Sequence, residues 1–416
     1  MVSGEIIADG VHRERLWSLM MDIARYGATE KGGVNRQALS DEDVAAKNHV
    51  ASWAIARGFA VFHDEIGNLF VRREGLRSDL PPIVIGSHLD SQPTGGKFDG
   101  AYGVAAGLEV LETLKLANFE TVRPIEVVSW TNEEGSRFSP GAMGSSVFAG
   151  LRSLSDMQKV RDRSGCLLGD ALADTLRATN ARFRAMSEAR IHRYLEAHIE
   201  QGPILEDEGL SIGVVSGIQG VCRLDVDVFG EEAHAGTTPR RKRKDALSSA
   251  SEIIADLRRE TEDSEDVLRF TVGRFEVRPG SPNTVPAHVH FSIDLRHPDI
   301  AILDDTSNRI RRVTHEFPGP CTVSVKDISR VTPTTFSSEV VDAVSHSASR
   351  LGYRNKRMFS GAGHDAMNIS KVCPAGMIFV PCLGGISHNE AERATPEDLH
   401  AGARVLADVT IVMAQG

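Results

Sequence analysis

The chain has 416 residues, 41% of them hydrophobic, and a formal net charge of -10. That length exceeds what one hydrophobic core usually serves, so two domains are expected. The acidic balance argues against nucleic acid, whose binders carry a basic excess or stripe, and no run approaches the roughly 18 apolar residues of a membrane span.

The N-terminal "MVSGEIIADGVHRERL" carries early acids and no apolar core of signal-peptide length, which predicts a cytoplasmic protein. Beyond it, "PPIVIGSH", "GVAAGLEVLETLKLA" and "PIEVVSWTNEE" alternate short apolar runs with a helical pattern. Such alternation predicts strands joined by crossover helices in a largely parallel sheet. From Gly213 to Ser329 the pattern changes. "CRLDVDVFG" and "VHFSIDLRHP" alternate with period two, as half-exposed antiparallel strands do, around the helix-like "KDALSSASEIIADLRRE". The expected fold is therefore α/β: a mainly parallel-sheet catalytic domain, residues 1–212 and 330–416, with a smaller α+β domain, 213–329, inserted in it. The basic run Arg240 to Lys244 reads as a solvated face at a helix start. The five cysteines are scattered without a C-x-x-C pair and read as reduced thiols. Cys382, near a histidine loop, reads as a small buried hydrophobe.

In open sheets of this kind, ligands gather beyond the carboxyl ends of the strands. Three such ends carry chemistry: His88 after "PIVI", Glu133 and Glu134 after "IEVVSW", and His388 after "GMIFVP". In "YLEAHIEQGP", period two places Glu196, His198 and Glu200 on one side of a strand. With Asp99, these residues make a donor set of imidazoles and carboxylates without thiolates, suited to zinc or another first-row divalent ion. Asp90 is placed to orient the His88 imidazole. The adjacent acids Glu133 and Glu134 repel each other, and a metal resolves the conflict: one binds the ion, the other serves as general base toward water. "TGGKFDG" is no phosphate loop, since neither the leading glycine nor a Ser/Thr after Lys97 is present.

Taken together, "GSHLDSQPTGGKFDG", "TNEEGSRF", "EAHIEQGPILE", "EEAHAGTTP", "SPNTVPAHVHFSIDLRHP", "SGAGHDA" and "GISHNEAE" resemble the dinuclear zinc aminoacylase and carboxypeptidase superfamily, in its hydantoinase/carbamoylase amidase branch. The resemblance implies two divalent ions per chain, zinc first, with manganese, cobalt or nickel as alternatives. His88 and His198 would bind one ion and Glu134 and His388 the other, with Asp99 bridging and Glu133 the general base. It also implies a cis peptide at Asp99-Gly100. The inserted domain would be a lid and dimerisation domain whose His234 polarises the scissile carbonyl in a neighbouring active site of a homodimer. Asn283 and Arg296 would grip a substrate carboxylate, Arg296 through its bidentate fork, with Gln201 and His364 as further substrate-pocket residues. For Arg296 an ion pair with Asp294 or Asp299 is the alternative. The expected activity is hydrolysis of the carbamoyl C–N bond of an N-carbamoyl amino acid, a small molecule with a carboxylate. N-carbamoyl-β-alanine and allantoate are alternative substrates, separated by about 1 to 3 kcal/mol per methylene in a fitted pocket. An aminoacylase or dipeptidase is a weaker rival. A non-catalytic carboxylate-binding protein with a structural metal is another.

Overall fold

The computed structural model describes residues 7–416; residues 1–6, the start of the N-terminal run read above, lie outside them. The chain forms two compact units, Met1–Ser216 with Phe336–Gly416, and Gly217–Thr335. The expected borders at 213 and 329 fall inside the strands Ile212–Ile218 and Thr322–Val331. Both changes of unit come a little later because ladders hold those strands: Gly213, Val214 and Val215 pair with Phe379, Ile378 and Met377, and Val331 still pairs with Val221.

In chain order the elements that matter are β1 (Ile83–His88), α1 (Ala101–Leu116), β2 (Ile125–Trp130), β3 (Arg193–Ile199), β4 (Gly220–Phe229), α2 (Ala246–Glu260), β5 (Arg269–Arg278), β6 (His288–His297), α3 (Ile300–His315), β7 (Thr322–Val331), β8 (Ala375–Val380) and α4 (Pro396–Ala414). In the first unit β8, β3, β1 and β2 lie side by side and all run parallel. Leu69–Arg73 and then Ala60–His63 extend the sheet antiparallel beyond β2. The parallel strands are buried almost end to end, as covered parallel sheets must be, which is why they read as continuous apolar runs.

Helix α1 is apolar on nearly every side and packs between the sheet and α4, the placement such a helix requires. Truncating one of its fully buried leucines, such as Leu108, would cost about 2 to 5 kcal/mol. Helix α4 starts at an N-cap, Thr395, whose hydroxyl accepts the Asp398 N–H, with Pro396 in the first turn. Because β1, β2, β3 and β8 are parallel, their carboxyl ends open on one side of the sheet. His88 closes β1, Glu133 and Glu134 follow β2, His198 is next to last in β3, and His388 follows β8.

The second unit is a four-stranded antiparallel sheet in the order β5, β6, β4, β7. Its strands alternate as expected: Val289, Phe291, Ile293 and Leu295 of β6 are buried and join Leu224, Val226, Ile253, Leu257 and Ile310 in one core. Helices α2 and α3 cover that face. Asp245 caps α2 by accepting the N–H groups of Leu247 and Ser248.

Candidate metal centre

Asp99 stands between two sets of donors. Its Oδ1 is 3.1 Å from His198 Nε2 and 3.7 Å from His88 Nε2. Its Oδ2 is 3.4 Å from His388 Nε2, which in turn lies 3.4 Å from Glu134 Oε2. The ligand atoms of His88, Asp99 and His198 all fall within 4.8 Å of one another, as do those of Asp99, Glu134 and His388. A third set, Glu196, His198 and His364, meets the same spacing. There, however, Glu196 is already occupied by donors from Ser87 Oγ, Tyr194 OH and the Ala366 N–H. Glu133 lies in neither of the sets around Asp99, and its Oε2 is 3.6 Å from His88 Nε2.

The electrostatics call for positive charge at this place. Burial, then the negative charge of Asp365, pushes Glu133 well above the usual carboxylate range. Burial and Asp99 push Glu134 to about 8. Asp365 is completely buried, and burial, then the charge of Glu196, pushes it well above the usual carboxylate range against the opposing effect of Ser145. His388, hydrogen-bonded to Asp99, is raised to about 9, and although burial opposes it, the same carboxylate raises His198 to about 9. Both shifts mark a place where positive charge is favoured. Imidazoles and carboxylates without a thiolate suit a divalent first-row ion, and the donors fit that group. Cys382 is not among them: burial raises its thiol to about 12, and its Sγ faces the Gly202 carbonyl.

The neighbours of these donors differ in part from expectation. His88 Nδ1 is held by the backbone oxygen of Asp90 at 2.9 Å, so the orienting group is a carbonyl and the Asp90 carboxylate is free for another task. That carboxylate accepts the N–H groups of Glu133 and Glu134, at 3.2 and 3.1 Å, and so aims the acidic doublet. Gln92 grips Glu134 through its backbone N–H and its Nε2, at 3.0 and 2.7 Å. The Asp99-Gly100 peptide is not cis; the cis bonds among the described residues are Ser139-Pro140 and Arg278-Pro279. Gly100 makes the turn with φ +64°, and a Cβ there would lie 2.3 Å from the His88 ring. The Gly100 N–H points to His198 Nε2 at 3.2 Å, while His198 Nδ1 meets the Ile199 carbonyl at 2.8 Å. Once the ring is neutral, that pairing leaves the proton on Nδ1 and the lone pair on Nε2, the form that can bind an ion.

The residues expected to touch substrate divide between the units. In the first, Gln201 Nε2 donates to Asp99 Oδ2 at 2.9 Å, so its amide is tied to the centre. His364 is buried against the His198 ring, centroids 4.5 Å apart, with Nε2 on Ser360 Oγ. In the second, the pairing of Thr284 with His234 brings Asn283 beside His234. His234 is exposed, and its Nδ1 accepts the N–H groups of Gly236 and Thr237, which leaves Nε2 as the outward N–H in the neutral ring. Arg243, inside the basic run, bonds the carbonyls of Ala235 and Thr238 and steadies that loop. Arg296, on the uncovered face of β6, pairs with Asp294 at 2.8 Å, the partner named above as an alternative. Gln92, Ser387, Glu392 and Asp365 were in quoted motifs yet unassigned, because no spacing rule predicts partners so distant in the chain.

Residues 84–411 match the model of peptidase family M20/M25/M40. The chain belongs to that family. Among M20 relatives, the N-carbamoyl-L-amino-acid amidohydrolase of Rhizobium meliloti is 40% identical, over 95% of this chain and 95% of that protein. The N-carbamoyl-L-amino acid amidohydrolase of Geobacillus stearothermophilus is 36% identical, over 98% of this chain and 100% of that one. The crystal structure of an amidase of the hydantoinase/carbamoylase family from Burkholderia multivorans superposes with a TM-score of 0.92 at 43% identity, covering 98% of each chain. The branch expected from the motifs is the one to which that amidase is assigned.

Proposed function

We propose that this protein is a metal-dependent amidohydrolase that cleaves the carbamoyl C–N bond of N-carbamoyl amino acids. The carrying observation is Asp99 shared between the His88/His198 and Glu134/His388 pairs, with Glu133 beside them and outside both sets. The names of the M20 relatives support the choice of bond. Two divalent ions, held by His88, His198, Glu134 and His388 with Asp99 between them, would polarise the carbamoyl carbonyl and make water more acidic. Zinc suits the donors, as do manganese, cobalt and nickel.

Glu133 takes a proton from the attacking water as the new C–O bond forms at the carbamoyl carbon. Its carboxylate stands 3.6 Å from His88 Nε2, beside the donors and outside both sets, where it can meet that water. It then passes the proton to the departing nitrogen as the C–N bond breaks, freeing the amino acid. The carbamate left behind decomposes to ammonia and carbon dioxide. His234 supplies a donor to the developing oxyanion, in a neighbouring active site of a homodimer. Arg296 and Asn283 hold the substrate carboxylate, with Gln201 and His364 in the pocket. The inserted domain serves as lid and dimerisation domain. A cytoplasmic location belongs to the same reading, supported by five unpaired cysteines.

Release of the free amino compound, with ammonia followed in parallel for the ureido substrates, over a panel of N-carbamoyl α-amino acids, N-carbamoyl-β-alanine, allantoate and an N-acyl amino acid tests the proposal. Fastest turnover is expected on an N-carbamoyl α-amino acid. Faster cleavage of the N-acyl compound would overturn it.

A further inference from the structure

The motif "GISHNEAE" places two acids after His388, and the second reaches back to the metal centre. Glu392 is only 4% exposed. Its Oε1 accepts the backbone N–H groups of Phe98 and Asp99, at 2.9 and 3.1 Å. Its Oε2 lies 2.9 Å from the Oγ of Ser387, the residue just before His388. That hydroxyl is also 3.1 Å from Asp99 Oδ2, and Gln201 Nε2 donates to both Asp99 Oδ2 and Ser387 Oγ. The chain leaves room for this acid: a Cβ at Gly96 would fall 2.0 Å from Glu392 Oε1.

We propose that Glu392 is a positioning residue, a strap that fixes the loop bearing Asp99 to the loop bearing His388 and so sets the spacing between the two donor sets that share Asp99. The inference rests on the metal-dependent reading above. His88 and His198 sit on strands, whose ladders hold them. His388 sits on a loop with φ +54° and a side chain 52% exposed, so its place depends on its neighbours. Removing Glu392 leaves the buried N–H groups of Phe98 and Asp99 without their acceptor and cuts the Ser387 link, so the Glu134/His388 set loses its spacing first.

Zinc binding to metal-stripped wild type, Glu392→Ala, Glu392→Gln and Gly96→Ala tests this, read as ions bound per chain and as affinity against a competing chelator. Wild type should bind two ions. Glu392→Ala should bind the first with unchanged affinity and the second about 10 to 100-fold more weakly. Glu392→Gln keeps an oxygen for both N–H groups and should fall much closer to wild type. Gly96→Ala, which displaces the acid without deleting it, should repeat the selective loss and serves if the alanine variant does not fold. The strap is overturned if Glu392→Ala binds both ions as wild type does, if it weakens both equally, or if glutamine is as poor as alanine. Wild type that binds no ion would sink the metal-dependent reading and this inference with it. Two ions without carbamoyl hydrolysis would sink the substrate reading alone.

Discussion

The two units treat their polar residues in opposite ways. In the first, His88 and His198 are buried at strand ends, Asp99 is buried just before α1 and Glu134 is half-buried past β2, and nearly every donor is aimed by a second group: Asp90 carbonyl on His88, Gln92 on Glu134, Ile199 carbonyl on His198. In the second, His234 and Asn283 stand exposed near a two-residue strand pair, and Arg296 is neutralised by Asp294. Buried charges are costly and respond strongly to an arriving cation, whereas exposed ones meet a ligand at little cost. On the proposed reading, the metal donors and the proton transfer belong to the first unit, while the exposed groups of the second meet the substrate.

That division predicts a graded series of losses. Glu133→Gln should lower turnover by about 10² to 10⁴-fold while leaving the bound metal unchanged, measured by ammonia release alongside elemental analysis. Near-normal turnover would remove Glu133 from its role and blur the contrast. His234→Ala should lower kcat by about 10² to 10³-fold with metal content untouched; a loss of metal instead would mean that the second unit helps build the centre. Arg296→Ala should raise KM by roughly 10 to 100-fold with kcat nearly constant, the mark of lost uniform binding. A matching fall in kcat would place Arg296 in the chemistry.

The smallest effect concerns pH. In the metal-free protein His198 and His388 are raised to about 9 and Glu134 to about 8. From pH 4.5 to 8 for Glu134 and from 6.5 to 9 for the two histidines, the folded chain thus holds protons that the unfolded chain has released, so stability falls as pH rises. Ions held by these donors would replace those protons. The Tm of stripped protein should drop by several degrees across this window and that of loaded protein should stay flatter; parallel curves would contradict the assignment of these groups as ligands.

Much of this was legible in the sequence because strand ends carry it. Parallel apolar runs announce where their C-terminal residues meet, and so His88, Glu134, His198 and His388 could be grouped before any coordinates. Period two likewise revealed the second unit. What stayed hidden depends on which partner a polar group selects. Asp90 turns its carboxylate to the backbone of Glu133 and Glu134 and leaves His88 to its carbonyl, a choice that side-chain spacing does not encode. Gly100 turns the chain by its φ where a cis bond was expected. Glu392 meets Phe98 and Asp99 across most of the sequence, and Asp294 competes for Arg296 from two residues away.

The most direct test is the metal content of the purified protein measured together with its hydrolysis of an N-carbamoyl amino acid, before and after stripping with a chelator. Two divalent ions per chain, with ammonia release lost on stripping and regained on adding zinc, manganese, cobalt or nickel, is the predicted result. Hydrolysis that continues at full rate in metal-free protein would contradict the shared centre around Asp99.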